Sequence, residues 1–245
     1  RDLAAEGIAA PQLTLTGLTQ GDTAELIADM LQMPTADVAS LAAVTHAKTG
    51  GNPFYTIEFL TALYRDGVLR LDLHDGQWHW DNAELAGRAA SDSVVDFLTE
   101  RLGRLIPETR QALLTAACLG NEFALGMLAV ALDMTPEALA ARLAPALEQG
   151  IVVTHSALCV QQGDPSVTLR FCHDRMQQAA HDLCGPDERI ELNLHLARRF
   201  AVGDAATAMP IRAARHYAQA LPRLVDPAER ARARELIAAA ALEAR

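Results

Sequence analysis

The sequence predicts a mainly α-helical protein that carries two short β-hairpins. Alanine and leucine dominate a chain of 245 residues that is 50% hydrophobic and only 4% aromatic, a composition that favours helices. Apolar side chains recur at helical spacing through most of the chain, and glycine or proline marks many of the segment ends. Two pairs of short β-rich runs interrupt this pattern. We therefore expect groups of short helices with small sheets between them.

The first region is predicted to be helical after a short strand or extended segment at Gln12–Leu18. Apolar residues at helical spacing predict a helix over Thr19–Leu31. A second helix is expected to be capped by Thr35 and to end at Gly50, because glycine readily adopts the left-handed conformation common at helix ends. Helices this short bury one face each, so we expect them to pack against one another.

A third helix is predicted to begin at Pro53, within the run TGGNPFY. Asn52 is a good N-cap, and proline suits the first helical position because an N–H there would have no helical partner. An apolar stripe follows on one face: Phe54, Ile57, Leu60 and Leu63. One interpretation is a helix start preceded by two glycines. The other is a ligand contact, in which Gly50 and Gly51 allow close approach of the backbone and the Pro53 ring lies against a base or a ribose.

A β-hairpin is predicted after the third helix. Its first strand alternates apolar and polar residues over Leu69–Leu73. Asp75-Gly76 is a strong two-residue turn signal, and Trp78 and Trp80 lie on the returning strand. We expect both tryptophans to pack rather than to form a ligand platform. The polar, alanine-rich segment Asp81–Asp92 is predicted to be a linker.

A second helical region begins at Ser93, which is predicted to cap a helix. Four helices are followed by two β-rich runs, Ile151–Thr154 and Val167–Phe171, with the loop-like segment Ser156–Ser166 between them. A closing helix is predicted over His173–Leu183. Helices followed by a β-hairpin wing indicate a winged-helix domain.

The rest of the chain is predicted to be helical, with small residues on the inner faces. The expected helices are Arg189–Phe200, Ile211–Ala220 and Pro227–Arg245. They are typical of the first members of an array of helical hairpins.

Charge and motif content argue against several functions. The formal net charge of -10 is unfavourable for non-specific nucleic-acid binding, because phosphates need a basic surface. The helix Pro136–Gln149, which would enter the major groove, carries Glu137 and Glu148 but only one arginine, Arg142. The sequence has no GxxxxGK[ST] phosphate loop and no strand ending in paired acids, so we expect no ATP hydrolysis by this chain alone.

The cysteines show no CxxC pairing: Cys118, Cys159, Cys172 and Cys184. We interpret them as reduced thiols of a cytoplasmic protein. His155 and His173 could approach two of them near the wing, but these spacings match no common zinc pattern, and no metal site is predicted. The sequence shows no membrane-spanning apolar run and no signal peptide, and it begins at Arg1. We therefore expect a cytoplasmic piece of a longer protein.

His173 is a candidate for contact with an anion. It lies where the wing ends and the closing helix begins, beside the positive end of a helix dipole, which favours phosphate. The alternative is a histidine that caps the helix or packs locally.

Several segments, taken in order, resemble the STAND-type ATPases, the signal-transduction branch of the AAA-like P-loop proteins. These segments are Lys48–Leu60, Gly67–Leu69, Trp78–Asp81, Ser93–Leu98, Ala116–Gly120 with Phe123, and Phe171–Ala180. The ordered set is similar to the ATPase module of large bacterial hybrid sensor kinases. In those proteins a serine/threonine-kinase-like region precedes the module, and sensor (GAF) and histidine-kinase domains follow it. The resemblance covers nearly the whole chain and is weakest after residue 200.

The resemblance implies a nucleotide site. Gly51, Asn52 and Pro53 match the Gly-x-Pro motif of the helical lid, which touches the nucleotide in that family. His173 matches a histidine that reads the β-phosphate of bound ADP. The cofactor would be ATP or ADP in a longer parent protein, whose phosphate loop and magnesium ligands lie upstream. An Arg-Asp pair at the end of a sensor strand would match Arg1-Asp2.

The resemblance also implies a regulatory role. The chain would close over bound nucleotide and switch on nucleotide exchange, so that it is not catalytic alone although its parent is an ATPase or histidine kinase. Its partners would be the upstream P-loop core, the downstream sensor and kinase domains and other proteins bound by the helical repeats, with no nucleic acid. The alternatives are a winged-helix DNA-binding regulator and an interaction scaffold without a nucleotide.

Four regions are predicted on this basis. They are the end of the ATPase core with the helical lid (1–67), a β-hairpin with a linker (68–92), a winged-helix domain (93–185) and the start of a TPR-like helical-repeat array (186–245).

Overall fold

The structure is a computed structural model that describes residues 14–74, 76–91, 94–201 and 209–243. The chain divides into two compact units, Arg1–Phe97 and Leu98–Arg245. Helices dominate both units, with a two-stranded sheet in the first and a three-stranded sheet in the second. The prediction of a mainly helical protein with small sheets is therefore confirmed. Within these ranges, no helix combines the length and the apolar character needed to cross a membrane.

Some sequence predictions fall outside the described ranges. They are the Arg1-Asp2 pair, the start of the extended segment at Gln12 and Leu13, the turn residue Asp75 and the cap Ser93.

The described residues of the first unit form four helices and one hairpin. Its elements are α1 (Gln20–Leu31), α2 (Ala39–Thr49), α3 (Pro53–Arg65), β1 (Leu69–Asp72), β2 (Gln77–Trp80) and α4 (Asn82–Ser91). Helix α5 (Val94–Gly103) follows, and the division between the units lies within it.

The ends of the first three helices follow local chemistry. Thr19 caps α1 through a capping box, in which the Asp22 amide donates to the Thr19 hydroxyl at 3.2 Å and the Thr19 amide donates to the Asp22 carboxylate at 2.8 Å. Gly50 ends α2 in the left-handed conformation, as predicted. The prediction that Thr35 caps α2 is wrong, because Val38 is the N-cap and makes no side-chain cap hydrogen bond. Val38 is fully buried, so packing rather than capping fixes this helix start.

Two further predictions for the first unit are corrected. Residues 14–19 form no strand. The polar segment predicted as a linker contains α4, which Asp81 caps by accepting the Ala83 and Glu84 amides at 2.7 and 2.9 Å. Leu85 in α4 is fully buried in the core, so this segment is part of the folded unit.

The core of the first unit differs in detail from the predicted α3 stripe. Phe59, Leu60 and Leu63 are buried, whereas Ile57 is 42% exposed. The two tryptophans of the hairpin are half-buried and pack against this core, as expected. Trp78 makes an edge-on contact with Tyr64 at a centroid distance of 5.6 Å, and the Trp80 indole N–H donates to Ser40 Oγ at 3.3 Å.

The second unit continues with short helices around a small sheet. Its elements after α5 are α6 (Pro107–Leu119), β3 (Glu122–Ala124), α7 (Leu125–Leu132), α8 (Pro136–Glu148), β4 (Val152–Thr154), α9 (Ala157–Gln161), β5 (Thr168–Phe171) and α10 (Asp174–Leu183). They are followed by α11 (Pro186–Phe200), α12 (Pro210–Ala220), a 3-10 turn (Leu221–Arg223) and α13 (Pro227–Glu243).

The sheet of the second unit has three antiparallel strands in the order β3-β5-β4. The predicted hairpin of β4 and β5 is present, with Val152 opposite Phe171. Two elements were missed by the sequence analysis. Strand β3 is only three residues long, and helix α9 lies in the segment predicted to be a loop. Strand β5 is thus the central strand, and it leads directly to His173.

Candidate functional site

The turn between α2 and α3 contains the two adjacent glycines of the predicted ligand contact. Gly50 and Gly51 both have positive φ, at 60° and 72°. The Gly50 amide donates to the His46 carbonyl at 2.9 Å, which closes the last turn of α2. Two consecutive left-handed residues reverse the chain direction in a short space, and glycine adopts this conformation without a steric penalty.

Position 51 must be glycine because a second segment of the chain packs closely against it. The Leu18 amide donates to the Gly51 carbonyl at 2.8 Å, and a Cβ on Gly51 would lie 2.0 Å from the Leu18 carbonyl oxygen. A Cβ on Gly17 would lie 2.9 Å from the Gly50 carbonyl oxygen. The two glycine-containing segments therefore pack backbone to backbone. This contact was not predicted from the sequence, in which Gly17 was the available signal.

Asn52 and Pro53 start α3 as predicted. Asn52 Oδ1 accepts the Tyr55 amide at 3.2 Å, and Pro53 occupies the first helical position. Pro53 and Gly50 are exposed, and a Cβ on Gly50 would have no atom within 4 Å. The surface offered at this turn therefore consists of the Pro53 ring and the Gly50 backbone, while Gly51 is buried.

His173 is the N-cap of α10. Its backbone is extended, and its Nδ1 accepts the Arg175 amide at 3.1 Å. The preceding residue is tied into the sheet region, because the Cys172 amide donates to the Ile151 carbonyl at 3.0 Å. The histidine is half-buried and occupies the positive end of a ten-residue helix.

The cap hydrogen bond fixes the tautomer of the His173 ring. A nitrogen that accepts an amide N–H carries no proton, so the proton of the imidazole is on Nε2. His173 therefore has a ring N–H donor in addition to the acceptor used for capping. A donor at a helix N-terminus is suited to an anionic oxygen.

The candidate residues occur in both units. Gly51, Asn52 and Pro53 are contiguous in the first unit, whereas His173 belongs to the second. In the described part of the chain, no group of three metal-ligating side chains is found, so His155, Cys159, Cys172 and His173 form no such site.

The predicted DNA-reading helix has an unfavourable surface. In α8, Glu137 lies against the turn at Gly163, where an added Cβ would be 2.6 Å from Glu137 Cγ. Arg142, the single basic residue of this helix, is half-buried. An exposed acidic side chain at the helix start and a single half-buried arginine are poorly suited to a phosphate backbone.

Comparison with known proteins gives one informative likeness. No protein-family model matches the chain. The chain is similar to the hybrid signal transduction histidine kinase G of Dictyostelium discoideum, with 26% identity over 202 residues. The match covers 71% of this chain and spans about 6% of the length of that relative.

Proposed function

We propose that this chain is a regulatory part of a signalling protein of the STAND ATPase type. In this proposal, α1 to α3 are the helical lid over a nucleotide, the region from α5 to α10 is a winged-helix domain, and α11 to α13 begin a helical-repeat array. The likeness to a hybrid signal transduction histidine kinase supports a signalling role. The parent would contain the phosphate loop and the magnesium ligands upstream, and sensor and kinase domains downstream.

The observation that carries the proposal is the position of His173. An imidazole with its proton on Nε2 caps a helix directly after the central strand of the sheet. This N–H can donate to a β-phosphate oxygen of ADP while Nδ1 continues to hold the helix start. Capping thus orients the ring, and the ring supplies the ligand contact.

The lid turn would supply a second contact. The exposed Pro53 ring has no N–H and can lie against the face of the adenine or ribose, while Gly50 leaves space beside it. Asn52 acts indirectly in this proposal, because its side-chain oxygen is used by the Tyr55 amide. Gly51 maintains the turn through its contact with Leu18.

The closed state would be stabilised by ADP and released on exchange for ATP. A ligand can shift this balance only by binding the closed state more tightly than the open state. A hydrogen bond from His173 to a charged phosphate would contribute about 1.5–3 kcal/mol to that difference. This corresponds to a shift of about one to two powers of ten in the closed-to-open ratio.

The proposal is tested by ADP dissociation from the full-length parent. His173→Ser keeps a capping oxygen but removes the ring N–H, and His173→Asp also places a negative charge near the phosphate. We expect ADP to dissociate about ten to a hundred times faster from the serine variant, and faster still from the aspartate variant. The matched control is His155→Ser, which changes an exposed histidine in the same unit.

Equal ADP dissociation rates for wild type, His173→Ser and His155→Ser, in proteins with equal thermal stability, would contradict the phosphate contact. Basal signalling output of the parent provides a second readout, since loss of ADP should increase it.

A further inference from the structure

A polar cavity in the second unit lies where four helices meet. Its volume is about 290 Å³, and its lining includes the ends of α6 and α10 together with the facing sides of α11 and α12. Two arginines, Arg189 and Arg215, contribute to the lining, with Gln177, Gln219 and His181 beside them. Among the described residues that line it, none is a carboxylate. The lining therefore carries two guanidinium charges, and the carboxylate of Asp182, outside the lining, lies 3.6 Å from His181 Nδ1.

Among the described residues, one donor of Arg189 has no hydrogen-bond acceptor. Its Nη1 donates to His181 Nδ1 at 3.3 Å, and its Nη2 donates to the Cys184 carbonyl at 3.1 Å. Its Nε–H is buried and has no acceptor in the described part of the chain. An unpaired buried N–H on a charged group is unfavourable, so this atom requires an acceptor.

The hydrogen bonds around Arg189 hold the neighbouring side chains in place. Because arginine can only donate, His181 Nδ1 must accept, and the proton of that ring is on Nε2. Asn193 donates to the Arg189 carbonyl at 2.8 Å, so its side-chain oxygen accepts from His216 Nδ1, also at 2.8 Å. The cavity is thus a built set of oriented polar groups rather than a surface hollow.

The second arginine is free to bind a ligand. Arg215 is exposed, and in the described ranges it has no carboxylate within ion-pair distance. The charge of Arg215 acts on His216, which lines the cavity. Burial, together with the charges of Arg215 and Arg212, lowers the pKa of His216 to about 4. Burial raises the pKa of the Cys118 thiol to about 12, so this wall residue adds no negative charge.

We propose that this cavity binds a small oxyanion, and that a phosphate group is its preferred ligand. Guanidinium groups match phosphate oxygens in geometry and in charge, and two of them on different helices can approach one phosphate from two sides. Arg189 and Arg215 supply the charged groups of the lining, and Gln177, Gln219 and His181 supply neutral polar groups. A volume of about 290 Å³ suits a small phosphate-bearing molecule. The site is independent of the nucleotide contact proposed for His173.

The test uses inorganic phosphate titrated into the 245-residue chain, with chloride at matched ionic strength as the reference. Calorimetry measures the affinity, and the side-chain Nε–H resonance of Arg189 reports whether the bound anion reaches this guanidinium group. We expect saturable binding and a shift of that resonance. Arg215→Gln should weaken binding about tenfold or more, because it removes one charged donor group. Arg212→Gln, on the same helix but outside the cavity lining, is the matched control: its charge also acts on His216, so it should weaken binding, but clearly less than Arg215→Gln does.

Three results would overturn the proposal. Non-saturable binding, or equal weakening by Arg215→Gln and Arg212→Gln, would mean general charge attraction only. An unchanged Nε–H resonance at saturating phosphate would mean that phosphate does not reach the Arg189 guanidinium group. This measurement requires no variant. Tighter binding of acetate than of phosphate, in the same titration, would assign the site to carboxylates instead.

Discussion

Two helix starts in this molecule, those of α3 and α10, look alike but differ in how far folding alone explains them. In both, a side chain accepts a backbone amide of the first turn, at 3.2 Å for Asn52 and 3.1 Å for His173. Asparagine is among the best N-cap residues, whereas histidine is outside that group. The first helix start is therefore explained by local structure, and the capping bond does not by itself explain why the second has a histidine.

The glycines before α3 extend this contrast. Gly51 combines a positive φ with a backbone contact to Leu18, which excludes a side chain whether or not a ligand binds. A glycine that looks like a ligand contact in the sequence therefore has a folding role in the structure. The proposed nucleotide contact is therefore supported by His173 and by the exposed Pro53 ring, and not by Gly51.

Among the variants that test this comparison, Gly51→Ala is expected to change the free energy of unfolding most. The new methyl group would overlap the Leu18 carbonyl, and alanine would be held at a φ of 72°. We expect a loss of about 3 kcal/mol or more in the free energy of unfolding, from the steric overlap and the left-handed conformation together. Urea unfolding followed by tryptophan emission measures it, because both tryptophans of the sequence, Trp78 and Trp80, lie in the first unit.

Gly50→Ala is the control for that variant. It has a similar φ of 60° but open space around the added methyl group, so only the left-handed conformation is unfavourable. We expect a loss of about 1 kcal/mol. Equal losses for the two variants would show that the contact with Leu18 is not what requires glycine at position 51.

A second histidine, His216, has a lowered pKa whose structural cause is known. His216 is 4% exposed and packs against Phe200 with the two rings tilted by 39° at a centroid distance of 5.7 Å. Its pKa is lowered from 6.5 to about 4 by burial and by the charges of Arg215 and Arg212. Below the ordinary pKa the unfolded chain binds a proton that the folded chain does not. Titration of His216 therefore leaves the free energy of unfolding unchanged above pH 6.5. As the pH decreases from 6.5 towards 4, it lowers that free energy by up to about 3 kcal/mol.

The variant His216→Asn checks the source of this pH dependence. Asparagine can keep a donor to the Asn193 oxygen but does not titrate. We expect the variant to be less stable at neutral pH because of lost packing, with a flatter stability profile between pH 6.5 and 4. Unfolding followed by circular dichroism at several pH values measures both quantities. An unchanged slope in the variant would assign the pH dependence to other groups.

The sequence predicted elements whose ends depend on local chemistry. The starts of α3 and α8 at Asn52-Pro53 and Thr135-Pro136 were predicted correctly, because a capping side chain and a proline act within one turn. Helix α4 was mistaken for a linker because one buried residue, Leu85, gives too weak a periodic signal. The exposure of Ile57 and the start of α2 at buried Val38 depend on tertiary packing, which local propensity does not encode.

The candidate site was predictable only in part, for the same reason. Neighbouring residues define a helix start, so His173 at the start of α10 was visible in the sequence. The contact between Leu18 and Gly51 joins positions 33 residues apart, and the cavity at Arg189 needs four helices to assemble. Neither arrangement has a sequence pattern of fixed spacing.

The most direct test of the contrast between the two helix starts is the stability of the 245-residue chain with His173→Ser and His173→Ala. Serine keeps an oxygen that can accept the Arg175 amide, and alanine removes the acceptor. Calorimetric unfolding without nucleotide should show little change for serine and a loss of about 1 kcal/mol for alanine. That result would mean that the fold needs a cap at position 173 but not an imidazole. If serine instead lowers the free energy of unfolding as much as alanine does, the imidazole itself holds the fold, and the account given for His173 is contradicted.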